Sequence, residues 1–132
     1  MGARYDLRVV QAAARDERVS LDEARARNEV CRFLSDFVAA YRFAAEVLLE
    51  LNDDDFVETV SLNPPHPGDY DVYALGLASS IALRHGVPAC GWYLKLQLQE
   101  DLYGESVFLV SLHPLEHDVR RAGGWLRKAG TP

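Results

Sequence analysis

Gly91-Trp92-Tyr93-Leu94-Lys95-Leu96-Gln97-Leu98-Gln99 alternates large apolar side chains with polar ones, and the reading of the chain turns on it. Trp92, Leu94, Leu96 and Leu98 recur at a period of two, which is the spacing of one strand face. Tyr93, Lys95, Gln97 and Gln99 then share the opposite face. Glu100 to Glu105 is a polar turn containing Gly104, and Ser106 to Leu112 is a second strand. Together they predict an antiparallel hairpin with one apolar side. Upstream, Phe56 to Leu62 is short and rich in Val and Thr, and predicts another strand. Asn63-Pro64-Pro65-His66-Pro67-Gly68 predicts a loop, because prolines lack the ladder donor and glycine resists regular structure.

The first half reads as helix. In Tyr5 to Arg18, Leu7, Val10 and Ala14 lie three and four apart, as an amphipathic helix requires. Ser20-Leu21-Asp22-Glu23 has the form of a capping box and predicts a second helix from about Leu21. Phe37, Ala40, Tyr41, Ala44, Ala45, Leu48 and Leu49 predict a third over about 35–51, stopped by Asn52-Asp53-Asp54-Asp55. The segment Ala74 to His85 suits either a short helix ending at Gly86 or a strand followed by a helix. Leu115 to Lys128 predicts a closing helix, weakened at Gly123-Gly124. The fold class expected is therefore α+β: N-terminal helices (about 5–51) on one face of a small antiparallel sheet (about 56–113), then a C-terminal helix (about 115–128). No internal repeat breaks the 132 residues, which predict one domain over 1–132.

Composition narrows the function. The chain carries 14 Lys+Arg against 20 Asp+Glu, a net charge of −6. That balance argues against nucleic-acid binding by bulk charge. The deficit is uneven: residues 1–60 hold 8 basic and 13 acidic side chains (net −5), and residues 61–132 hold 6 and 7 (net −1). The strand-rich half is the less hostile one for an anion. No apolar run reaches the roughly 18–20 residues of a membrane span, and the N-terminus lacks the apolar core of a signal peptide. Two cysteines, Cys31 and Cys90, suit reduced thiols in a cytoplasmic protein.

P-loop, G-x-S-x-G, H-E-x-x-H and paired C-x-x-C motifs are all absent, so any site is assembled from scattered residues. Three constellations stand out. His66, Asp69 and Asp71 combine imidazole and carboxylates, as a divalent-metal site does, although the same residues also make a capped turn. Tyr93, Lys95 and Gln97, with Ser111 and His113 on the neighbouring strand, place proton carriers beside a cation. Such a set suits a phosphodiester whose own RNA 2′-hydroxyl attacks without a metal, and it equally suits an ordinary solvated sheet face. Arg120-Arg121 with Arg127-Lys128 is a short basic patch, or simply the cationic end of a helix.

The order of these pieces resembles the MqsR-type toxins of bacterial toxin–antitoxin systems, RelE-like proteins that cut messenger RNA. Four stretches carry the resemblance: Tyr5-Asp6-Leu7 leading into Val10 to Ala13; Leu48 to Phe56, which ends a helix and leads into a strand; Asp71-Val72-Tyr73; and Trp92 to Leu96 followed by Phe108 to His113. The resemblance implies a RelE-like fold, an endoribonuclease with no cofactor or metal, a messenger RNA substrate and a cognate antitoxin partner.

The chain departs from that family where chemistry is expected. Glu58 stands in place of a lysine, Tyr70 in place of a glutamine, and His113 in place of the lysine after the last strand. Only Tyr93 is kept among the family's catalytic positions. Extra residues lie between Tyr73 and Trp92, and the segment beyond Leu115 is additional. Exchanging lysine for glutamate beside a phosphate turns attraction into repulsion. Two expectations follow. In the first, Tyr93 and His113 are the catalytic pair, Lys95 binds the RNA phosphate, and Tyr70, Tyr73 and Gln97 are auxiliary. In the second, nuclease activity is lost and the fold serves as a protein-binding module.

Overall fold

The computed structural model describes residues 2–128. It is an α+β protein, as the alternation of helical and strand periods implies. Helices α1 (Leu7–Arg15), α2 (Ala26–Val30), α3 (Phe37–Glu50) and α4 (Ser79–His85) accompany a five-stranded sheet of β1 (Val19–Leu21), β2 (Phe56–Leu62), β3 (Gly68–Gly76), β4 (Gly91–Asp101) and β5 (Gly104–Pro114). The spatial order is β1-β5-β4-β3-β2, with β1 parallel to β5 and every other pair antiparallel. A separate hairpin, β6 (Val119–Arg121) and β7 (Gly124–Leu126), follows. No helix among the described residues is long and apolar enough to cross a membrane.

Helix packing gathers the main core on one side of the sheet. Val10, Ala13 and Ala14 of α1, Phe43, Ala44, Val47 and Leu48 of α3, and Ile81 and Ala82 of α4 close over Trp92, Leu94, Leu96, Leu109 and Leu112. Aspartates start the two longer helices: Asp6 accepts from the Arg8 amide and Asp36 from the Val38 amide at 2.8 Å, satisfying amides that have no partner within the helix. Gly86 ends α4 at φ +74°, the left-handed C-terminal conformation that costs glycine little. At its basic end, Arg84 and His85 both pair with Glu46 of α3.

Two expectations are corrected. Ser20 does not cap a helix from Leu21. Val19–Leu21 is instead a strand along β5, with the Val107 amide donating to Arg18 O (2.9 Å) and the Asp22 amide to Leu109 O (2.9 Å). Occupying an open sheet edge satisfies more backbone groups than a local cap, so the helix waits until Ala26. The closing helix over 115–128 is also absent: β6 and β7 turn at Ala122-Gly123, and Gly124 sits at φ +113°. A Cβ at Gly123 would lie 2.6 Å from Asp54 Cβ, so the hairpin docks where only glycine fits. Between Ala74 and His85, the strand-then-helix alternative is the one adopted.

Two buried carboxylates fasten the ends of the chain to the sheet. Asp71 accepts from the Arg4 amide (2.9 Å), the Tyr5 amide (2.8 Å) and Thr59 Oγ1 (2.6 Å). Asp55 accepts from the Asn52 amide and from Arg121 Nη1 at 2.9 Å, while the same guanidinium reaches Ala74 O and Gly124 O. Burial pushes the Asp55 carboxyl above its ordinary range, against the pull of Arg121. Arg121→Met therefore leaves a buried carboxylate without its counter-ion and should lower stability by about 3 kcal/mol. A lower urea midpoint with an unchanged slope is the expected reading, and an unchanged midpoint would refute the clamp.

Candidate functional site

Strand parity builds the second face of the sheet. Residues directly opposite in a sheet project to the same side. Glu58, Val72, Lys95 and Ser111 form one such row, and Ala74, Tyr93 and His113 the next. The register slips between Lys95 and Leu96, leaving Val110 as an extra residue of β5. This bulge returns Leu109 and Val107 to the helix side while Ser111 and His113 stay on the other. A second slip, between Phe56 and Glu58, turns Val57 to the same open side, where it packs with Ala74, Leu115, Val119, Tyr93 and Leu126.

A cleft of about 430 Å³ opens on this face. Tyr93, Lys95, Ser111 and His113 line its sheet side, with Glu58 from β2, Arg25 from the start of α2, and His117, Arg120 and Trp125 from the C-terminal segment. The Tyr93 and His113 rings stack with centroids 5.1 Å apart and planes at 24°. Lys95 Nζ lies 5.7 Å from the Tyr93 ring centre. His113 Nδ1 is 2.7 Å from Pro114 O, an acceptor, so this nitrogen carries a proton. Its Nε2 lies 4.0 Å from Glu29 Oε2, and the other Glu29 oxygen accepts from the Leu112 amide at 3.0 Å. The Pro114 carbonyl thus fixes the ring, and Glu29 stands where it would pair with Nε2 once that nitrogen takes a proton. Trp125 is 61% exposed and offers a flat apolar face at the rim.

Charge in the cleft is mixed. Arg25, Lys95 and Arg120 form no ion pair among the described residues, whereas Glu58, Glu116 and Asp118 lie around them. Burial holds the Lys95 ammonium below its ordinary range, and Arg25 adds to that effect. Burial also raises the Tyr93 hydroxyl, with Glu58 reinforcing the rise. The raised Tyr93 hydroxyl keeps its proton more firmly than a free phenol does, and the half-buried Lys95 ammonium gives up its proton more readily than a solvated one.

Other sequence-predicted residues lie elsewhere. Tyr73 is in the helix-side core, edge-on to Phe56 at 5.6 Å, because its odd position in β3 points it away from the cleft. Tyr70 is on the cleft side but buried with Phe108 and Val110, its hydroxyl donating to His66 O at 3.1 Å. Gln97 braces the proline loop through Pro67 O and sits outside the cleft. The basic patch is divided: Arg121 is in its clamp, Arg127 pairs with Asp118 at 3.0 Å, and Arg120 faces the cleft.

His66, Asp69 and Asp71 are also kept apart. His66 Nε2 faces Asp22 at 3.2 Å, Asp69 accepts from Ser61 Oγ at 2.7 Å, and Asp71 holds the N-terminal segment. No group of three His, Cys, Asp or Glu side chains suited to a metal occurs among the described residues. Arg25, Glu29, His117 and Trp125 escape sequence reasoning, since nothing in their local pattern marks them and only packing brings them to the sheet.

Comparison with protein-family models, with curated proteins and with solved structures gives no match. The cleft geometry makes its own prediction. Glu58 raises the titration of both Lys95 and Tyr93, so Glu58→Gln should lower both midpoints. NMR titration of the lysine Hε and tyrosine ring signals reads this directly, and unmoved midpoints would place Glu58 outside the cleft's electrostatics.

Proposed function

We propose that the protein is a toxin-type endoribonuclease that cuts messenger RNA by acid–base chemistry within the chain itself. The observation that carries this reading is the meeting of Tyr93, Lys95 and His113 in one cleft alongside Arg25 and Arg120. In the reaction proposed, an RNA 2′-hydroxyl loses its proton to His113 and attacks the adjacent phosphorus. The P–O5′ bond breaks, and the departing oxygen takes a proton from Tyr93. Lys95 offsets the charge that builds on the phosphoryl oxygens. Trp125 gives an exposed ring on which a base can stack. An antitoxin controlling the enzyme would cover the open sheet face, opposite α1 to α4. The order of sequence elements shared with MqsR-type toxins supports the same reading.

Induced expression in a bacterial host, with growth and total messenger RNA followed over time, tests it. The expected outcome is growth arrest with RNA loss. In purified protein, Tyr93→Phe and His113→Ala should each slow cleavage by about 10²–10⁴-fold. Cleavage unchanged in both variants would end the proposal.

A second reading rests on Glu58, which faces Lys95 and Tyr93 where a phosphate would sit. There the cleft is a protein-binding surface and the chain is a regulatory module. Normal growth with intact RNA, together with co-purification of one basic protein, would favour it.

A further inference from the structure

Among the described residues, one buried side-chain polar atom has no hydrogen-bond partner: Ser111 Oγ. The residue is 1% exposed and belongs to the cleft floor. Buried hydroxyls are nearly always paired, because an unpaired one forfeits its water contacts without return. The exception here sits directly across the β4–β5 pair from Lys95, and two residues along its own strand from His113. Tyr93 flanks Lys95 in the same way on β4. The orphan hydroxyl thus shares the open face with Lys95, His113 and Tyr93, the three groups to which the proposed reaction assigns a role.

We propose that Ser111 Oγ and Lys95 Nζ together form the seat for one phosphate group, with Ser111 as a positioning residue for the phosphodiester. This rests on, and deepens, the endoribonuclease reading. In the free protein Ser111 Oγ is shielded from solvent, and Lys95, opposite it on β4, is half-buried with its Nζ 5.7 Å from the Tyr93 ring centre. When a phosphate enters, Lys95 turns its ammonium onto one phosphoryl oxygen and the Ser111 hydroxyl donates to another. Arg25, at the rim and without an ion-pair partner among the described residues, faces the next phosphate along the strand. The substrate class is a flexible single strand, because a phosphate must descend to the sheet floor between Trp125 and Arg25, and the rigid backbone of a duplex keeps its phosphates at the surface.

The free-protein cost and the bound-state gain have opposite signs, and this separates a ligand-directed hydroxyl from a structural one. Ser111→Ala removes an unsatisfied group, so the variant should melt about 2–4 °C higher than the parent. A hydroxyl serving the fold would give a lower midpoint. The binding probe is a 2′-deoxy trinucleotide, which lacks the attacking hydroxyl and stays intact, with inorganic phosphate as competitor. By calorimetric titration Ser111→Ala should bind it about tenfold more weakly and Lys95→Gln at least tenfold more weakly. The double variant should lose less than the product of the two, since both groups hold the same phosphate. In NMR spectra of the parent, the probe should shift the Ser111 and Lys95 amides.

Full-strength binding to a stably folded Ser111→Ala, or a probe that leaves those amides unmoved, would overturn the seat. Failure of the nuclease reading is a separate result: the trinucleotide binds through Ser111 and Lys95 while RNA of the same sequence stays whole. The converse, RNA cut at the parent rate by Ser111→Ala, removes the seat and leaves the nuclease standing.

Discussion

A β-strand has two faces and a fixed alternation between them, and β5 has to serve three surroundings within eleven residues. Val107, Leu109 and Leu112 face the helices, Phe108 and Val110 face a small apolar cluster, and Ser111 and His113 face the cleft. Strict alternation would put Leu109 and Leu112 on opposite faces. The extra residue at Val110 removes that conflict, and much of the molecule depends on it. Without the bulge, either Leu112 would leave the core beside Leu94, or Ser111 and His113 would leave the cleft beside Lys95 and Tyr93.

The walls of the cleft come from segments that the sheet holds by buried polar contacts. Asp55 and Arg121 bring the β6–β7 hairpin against β2 and β3, and that hairpin carries Arg120 and Trp125 to the rim. Glu29 ties α2 to the Leu112 amide and approaches His113, so the short helix that begins after Arg25 is anchored to the strand it overlooks. Removing either partner from such a contact strands a polar group inside the protein, which costs more than the contact itself contributes. Site geometry and stability are therefore coupled here: the groups that shape the cleft are the same ones that dock its walls.

Net charge and local charge point in different directions. At −6 the chain as a whole repels a polyanion, but interactions across more than about 8–10 Å are largely screened at physiological salt. Within that distance the balance is set by Arg25, Lys95 and Arg120 against Glu58, Glu116 and Asp118. Partial desolvation strengthens each of these interactions, including the unfavourable ones. Glu58 consequently matters more to the behaviour of the cleft than the acidic helices do.

Local pattern alone determined the β4–β5 hairpin, α1 and α3, because each carries a readable period, and β2 through its Val- and Thr-rich composition before the proline loop. It also put Tyr93 and Lys95 on one face, since two residues apart in a strand means the same side. Tertiary structure decided the rest. Tyr70 to Leu75 of β3 is buried on both faces and so has no alternation to read, which is why Tyr73 cannot be told from a cleft residue by pattern. Ser20-Leu21-Asp22-Glu23 has a helix signature, but an open edge of β5 was available and the backbone took it. Leu115 to Lys128 has helix-compatible residues, but Gly123 and Gly124 fit the close approach to Asp54 and the turn that β6 and β7 require. The cleft itself joins β2, β4, β5, α2 and the last hairpin. Residues so far apart along the chain leave no local periodicity to read, and only the packing of one element on another placed them together.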